Sequence, residues 1–360
     1  MNTRTNSTMK RRPGLTTGLI TALALLLAAL MPGPGSSGQL YGQEIAKTGT
    51  AAAQFLNIPV GTRAVGVGNA ITASVNDATA MYWNPAALAA VEQRQVHVEH
   101  SEWFADLQHN FVGLTLPVSG AGTVGLSLMA LTMDDMEETT LLEQEGTGRF
   151  FSAYSYAAGL TYAQYLMSDF AIGATVRYVH EQIENSNAGG ISFDLGTTYV
   201  TPFDGIRFGV RFANFGQKMN IDGRDLNTTV DLEPGSQGTR NPSGRLETRD
   251  FDLPLMLQAG LAWDAFMGDI SRITLMADGV SPSDDNQYVN VGIEAAFFEE
   301  LFAVQAGLPE LFLEDRMFRY AFGGWVSYQV NNGLNLDIGY ALQDHEYLGI
   351  TNRFSLKVGF

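Results

Sequence analysis

The chain has 360 residues and no cysteine, which excludes a disulfide framework and any thiolate metal site. Its formal net charge is −17 and no basic patch offsets it, so nucleic-acid phosphate would be repelled and no nucleic-acid partner is expected. Hydrophobic residues make up 45% of the chain, yet the mean hydropathy is close to zero, which excludes a bundle of membrane helices but suits a barrel, where every second residue faces water.

The first element in chain order is an export signal, residues 1–42. Lys10, Arg11 and Arg12 precede an apolar run over residues 15–31, and a Pro/Gly/Ser stretch follows over 32–38. The small residues Ser36-Ser37-Gly38 set a cleavage site after residue 38, with a second candidate after Gly42. The apolar run is shorter than the ~20 residues a spanning helix needs, and no later segment approaches that length. A chain of this kind can stay in a membrane only as a β-barrel.

Residues 43–92 form the second element. They are rich in Gly, Ala and Thr and show no alternation. Tight glycine spacing ahead of a barrel predicts a hatch, or plug, folded inside the lumen. Asn84-Pro85 favours a turn, with a short helix over residues 86–90. Arg63 and Asp77 would need partners there, Trp83 would supply an apolar anchor, and Asn84 would fix the approach to the first strand. Gly66 and Gly68 lack the third glycine of a dinucleotide fingerprint and read as packing positions.

From about residue 94 the pattern has period two. Phe354, Leu356, Val358 and Phe360 share one face, and Arg353, Ser355, Lys357 and Gly359 the other. Val289, Val291, Ile293, Ala295 and Phe297 oppose Asn290, Gly292, Glu294 and Ala296 in the same way. About fourteen such segments are predicted, at 94–104, 109–118, 121–131, 151–166, 169–182, 189–201, 205–214, 253–265, 271–280, 288–298, 301–309, 318–329, 333–342 and 351–360. Links after even-numbered strands are short and those after odd-numbered strands often longer, with extremes at 133–150 and 217–252. That parity marks an all-β, antiparallel transmembrane barrel over residues 93–360 in the outer membrane of a Gram-negative-type bacterium, surrounded by lipid, with both termini periplasmic. Tyr199, Phe212, Trp263, Tyr288, Phe297, Tyr320, Tyr328 and Tyr340 are expected in the interfacial girdles. Phe360 resembles the terminal signal read by barrel-assembly machinery, which would be a partner. A secreted soluble β-sandwich or propeller is the alternative fold. Its exposed face would carry Lys, Glu and Thr, where this chain has Gly, Ala and Ser.

The charges on the inward face are expected to pair, because a narrow lumen desolvates them. They are Arg177, Asp194, Arg207 and Arg211 on three successive strands, and Asp337 with Lys357 on another adjacent pair. No nucleophile elbow or phosphate loop occurs, so no catalytic residue and no cofactor is assigned and the chain is read as non-enzymatic. His109 or His180 beside Asp106 or Glu181 could imitate a rim hydrolase, but solvated rim histidines are the simpler reading. The acids Asp134, Asp135, Glu137 and Glu138 lack the ligand order of a calcium loop, and no metal site is assigned.

The run over residues 54–70, followed by Asn76-Asp77-Ala78 and by Trp83-Asn84-Pro85-Ala86, resembles the N-terminal signature of the PorV/PorQ family, related to the FadL-type barrels. Ala87 stands where the family often has Gly, and Val67 and Asn69 also depart from it. The resemblance implies a fourteen-stranded barrel and one of two roles. PorV-like proteins bind exported cargo by its C-terminal domain alongside type IX secretion components. FadL-like proteins let hydrophobic small molecules diffuse through a plugged lumen. The motif and the long acidic loops favour the type IX role, with the FadL-like channel as the alternative.

Overall fold

The structure, a computed structural model, describes residues 49–203, 205–230, 242–268, 270–331 and 333–360. The export signal lies outside the described residues.

Among these residues fourteen strands close into one antiparallel barrel. They are β1 Gln95–Glu102, β2 Gln108–Val118, β3 Gly122–Thr132, β4 Ala153–Met167, β5 Phe170–Ile183, β6 Ser186–Val200 and β7 Ile206–Gly216. The second half comprises β8 Met256–Met267, β9 Ser271–Pro282, β10 Tyr288–Phe297, β11 Phe302–Leu311, β12 Phe318–Asn331, β13 Leu334–His345 and β14 Gly349–Gly359. Each strand pairs with its sequence neighbours, and β1 pairs with β14 to seal the ring, Gln95 opposite Gly359 and Glu102 opposite Asn352.

The alternation read from the sequence is inverted relative to a soluble protein. On β6, Leu195 is 57% exposed on the outer face while its neighbour Asp194 is 0% exposed within. On β14, Phe354 and Leu356 face out, and Arg353 is fully buried. Apolar side chains outside and buried charges inside require an apolar solvent around the barrel. No helix among the described residues is long and apolar enough to cross a membrane, which says nothing about strands.

Links at one end, the turn end, are short: 119–121, 168–169 and 298–301 are examples. At the other, the loop end, the link 133–152 carries a small ladder pairing Met136 with Phe151, and 217–255 carries one pairing Asn227 with Arg245. The β5–β6 link at the loop end is only residues 184–185, so loop length is sorted by end without being uniformly long. Two bulges bend the wall. On β7 the register shifts opposite Phe193 and Leu195, where Asn214 has φ 61°. On β11 it shifts opposite Val289 and Val291, where Glu310 has φ 54°.

Residues 51–91 lie against the inner faces of strands on every side. They comprise a 3₁₀ turn Gln54–Asn57, helix α1 Thr62–Gly66, helix α2 Ala80–Trp83 and a 3₁₀ turn Pro85–Ala90. Helix α1 touches β11, β12, β13 and β14, and the second 3₁₀ turn touches β3, β4, β5 and β6. The wall admits this backbone because its inner face is glycine where the two meet. Gly209 and Gly260 face Thr72, Gly292 and Gly307 face Val67, and Gly173 faces Pro85. Gly68 shows the same need from the other side: it has φ 64°, and a methyl group on it would lie 2.7 Å from the Leu308 amide nitrogen.

Candidate functional site

The lumen is built where the inner segment meets the wall. Near the turn end, Arg63 on α1 donates to Glu294 on β10 through Nε (2.7 Å) and Nη2 (3.0 Å). Its Nη1 reaches the Ser74 carbonyl (2.9 Å) and Asn76 Oδ1 (3.0 Å). Glu294 is completely buried and also accepts from Arg272 (3.2 Å) and Gln305 (2.8 Å). One carboxylate thus collects two guanidinium groups and an amide, the dense pairing a buried charge requires. A polar cavity of 280 Å³ adjoins this hub, bordered by Arg63, Asp77, His97, Arg272, Trp325 and the Asp337–Lys357 ion pair (2.5 Å).

Farther toward the loop end, wall carboxylates accept amide hydrogens from the inner segment. Glu99 accepts from Gly61 (2.6 Å), Asp278 from Thr72 (2.9 Å) and Glu181 from Ala53 (3.1 Å). The non-helical backbone of the segment leaves N–H groups that would otherwise be orphaned, and these acids satisfy them. Arg353 joins Glu99 (3.1 Å), donates to the Pro59 carbonyl and lies over the Trp103 ring, 5.4 Å from its centroid. Around the mouth, Trp103, Phe104 and Phe318 enclose His345, with ring centroids 5.4, 4.2 and 4.4 Å away.

The residues singled out in the sequence divide as follows. Arg63, Asp77, Trp83 and Asn84 all lie in the inner segment. Asp77 Oδ1 accepts from the Thr79 amide (2.8 Å) and hydroxyl (2.5 Å), so its partners are local rather than across the lumen. Trp83 donates to the Val60 carbonyl (2.6 Å) and packs edge-on to Tyr82. Asn84 ties three elements together: it caps Ala86 (3.2 Å) and donates to the carbonyls of Thr72 (2.9 Å) and Thr197 (3.1 Å). Pro85 opens the 3₁₀ turn where a short helix was expected, and Asn76 and Gly66 sit beside Arg63 and Gln305.

Arg177 pairs with Asp194 at 2.8 Å, and Asn214, the bulged residue, binds both of them. Arg207 and Arg211 do not join that pair. Arg207 bonds Asp264 on β8 (3.0 Å), and the Arg211 guanidinium stacks over Tyr82 at 4.8 Å from the ring centre. Strand tilt, which the linear sequence does not display, decides which inward charge meets which. Phe360 is half exposed on the outer face, and its amide donates to the Arg94 carbonyl (2.9 Å).

Three expectations need correction. Tyr288 faces the interior, not a girdle: it pairs with buried Val280 and shares a face with buried Asn290. His109 is fully buried in the lumen and is no rim residue. His180 and Glu181 occupy opposite faces of β5, since Glu181 points in to Ala53 while His180 stacks outside against tyrosines. The sequence reading assigned no role to Glu99, Asp278, Glu294 or Arg353. Their signal was a charge on the small-residue face of a strand. Among the described residues no group of three or more His, Asp or Glu is arranged to hold a metal.

A sequence profile of an uncharacterised protein family, UPF0164, matches residues 32–194, a stretch that includes the 54–89 motif. No curated protein sequence matches the chain. Solved structures do match. The CymD monoaromatic hydrocarbon channel superposes with a TM-score of 0.55 at 14% identity, covering 84% of this chain and 97% of CymD. The toluene transporter TodX of Pseudomonas putida gives 0.53 at 11%, covering 83% and 97%. A FadL homologue of Pseudomonas aeruginosa gives 0.50 at 13%, covering 84% and 98%. Identities this low make the likeness one of fold: the chain is an outer-membrane-type β-barrel of FadL-like architecture.

Proposed function

We propose that this barrel is a plugged outer-membrane channel that admits a hydrophobic small molecule, with residues 43–92 as the plug. The supporting observation is a gradient along the lumen. The loop-end mouth gathers buried or half-buried apolar groups, Phe55, Leu56, Trp103, Leu131, Leu253 and Phe318, whereas the turn end is lined by ionic pairs. These apolar side chains are packed together, so a greasy solute reaches them only when the plug moves, and the charged floor holds the plug until then. The printed descriptions of CymD and TodX, a hydrocarbon channel and a toluene transporter, agree with this reading. In it the loop end is extracellular, Phe360 lies at the periplasmic face and supports assembly by the barrel-assembly machinery, and the chain performs no catalysis.

The test is uptake of a fluorescent fatty-acid analogue and, separately, toluene by intact Gram-negative cells, whose sugar-coated outer leaflet slows both, compared among cells without the barrel, with the wild type and with Arg63→Met. Uptake with the wild type should exceed that of cells without the barrel and rise further in Arg63→Met, which loosens the plug. Equal flux in all three preparations would sink the proposal.

The link 133–152 favours a second reading. It carries Asp134, Asp135, Glu137, Glu138, Glu143 and Glu145 against Arg149 alone, and Leu141 and Leu142 stand almost fully exposed on it. An acidic arm with an apolar tip suits a protein partner, and with the PorV/PorQ-like motif it fits cargo handover in type IX secretion. Pull-down in mild detergent separates the two. Recovery of exported proteins through a shared C-terminal domain, with no solute flux, selects the handover role.

A further inference from the structure

The outer wall, resting on the membrane reading above, carries a recess that the channel does not use. A groove of 550 Å³ crosses β2 to β6, walled by Val112, Leu126, Leu128, Leu160, Val176 and Ile191. Its floor is Ala158, paired with Leu128 on one side and Tyr178 on the other, a methyl among large side chains. The next outward row toward the loop end is Asn110, Ala130, Tyr156 and His180, and the row beyond it holds Thr132, Tyr154 and Gln182. There the chemistry changes. Tyr156 lies 5.0 Å from the His180 ring and 6.4 Å from Tyr154, and Tyr178 lies 6.2 Å from Tyr156. His100 meets Asn110 at 2.8 Å, and Glu102, the nearest carboxylate on that edge, lies one outward row further on. Neither row contains Lys or Arg.

The groove is continuous with the band that the barrel presents to lipid, so its occupant comes from the membrane. An acyl chain fits the apolar recess. The headgroup above it would meet stacked aromatic faces and neutral amide and hydroxyl groups rather than fixed cations. That surface suits a sugar ring, which packs C–H groups on aromatic faces and hydrogen-bonds to amides, better than a bare phosphate, which selects Arg and Lys. We infer that β2 to β6 form a seat for an acylated sugar lipid of the leaflet on the loop side, with one acyl chain over Ala158 and the sugar on the Tyr154–Tyr156–His180 platform.

The experiment is native mass spectrometry of the detergent-purified full barrel with a glucosyl diacylglycerol, which carries a sugar and no phosphate, as probe and phosphatidylglycerol as comparator. The wild type should retain one glucosyl diacylglycerol in preference to phosphatidylglycerol. Ala158→Leu, which fills the floor, should reduce that occupancy by about tenfold, the effect of losing roughly two buried methylene groups. Tyr156→Ala should reduce it, whereas Tyr156→Phe, which keeps the ring, should retain it. Ala158→Val provides a milder fill should the leucine variant fail to assemble. Equal retention of both lipids, or wild-type retention in the filled variants, overturns the inference. Gel migration with and without boiling reports separately whether each variant is a folded membrane barrel.

Discussion

The contact between Arg63 and Glu294 joins residues 231 apart in sequence, and it is where single side chains matter most. Removing Arg63 takes away one of two guanidinium groups, and Glu294 keeps Arg272 and Gln305, so the cost lies below the roughly 3–5 kcal/mol of a buried charge left wholly unpaired. Arg63→Met should therefore lower the urea stability of the folded barrel by about 2 kcal/mol, and Arg63→Met with Glu294→Met should cost less than the sum of the single changes. Strict additivity would show that the pair does not act as a unit. Gly68→Ala should cost at least about 2 kcal/mol, since it places a side chain at positive φ against the β11 backbone. At this scale the sequence revealed need but not partner. Arg63 was recognisable as a cation among small residues requiring an anion, yet nothing local pointed to β10. His109 and Tyr288 were misplaced for a related reason: an aromatic near a strand end can turn to either face, and only the parity of the whole strand decides.

Strands were legible because their period is simple. Each of the fourteen segments read from alternation corresponds to a strand of the barrel, with boundaries differing by a few residues. The inner face, rich in Gly, Ala and Ser, was equally visible, and its cause is now physical: the backbone of residues 51–91 lies against those glycines. The bulges at Asn214 and Glu310 were not legible, since a single inserted residue leaves the composition unchanged. Two expectations belong to elements. Leu195→Arg, on the outer face of β6, should destabilise the barrel by roughly 2–4 kcal/mol in lipid, measured by urea titration in liposomes; a neutral result would mean that this face does not meet hydrocarbon. Replacing residues 138–147 of the acidic arm by a short Gly-Ser link should leave assembly and heat-dependent gel migration unchanged, because the small ladder around Met136 and Phe151 pairs only within that arm.

For the molecule as a whole, the barrel was readable and the path of its inner segment was not. The described part of the segment begins at the loop end near Ala52, runs past Arg63 toward the charged floor, and leaves to begin β1 at the turn end. Composition marked this stretch as interior, but direction depends on contacts such as Ala53 with Glu181, which no periodicity encodes. The wild-type barrel should accordingly show low ionic conductance in planar bilayers, with larger openings after Arg63→Met; large, steady currents from the wild type would contradict a lumen filled in this way. The seam between β1 and β14 carries one more consequence. Residues 51–91 immediately precede β1, and the last strand made is the one that completes the ring. We expect a definite order of assembly, in which the segment is enclosed while β14 is still unpaired. Once the circle is complete there is no route by which a folded copy of the segment can replace it. A synthetic peptide spanning residues 49–92, added to barrels assembled without that stretch, should remain free in solution.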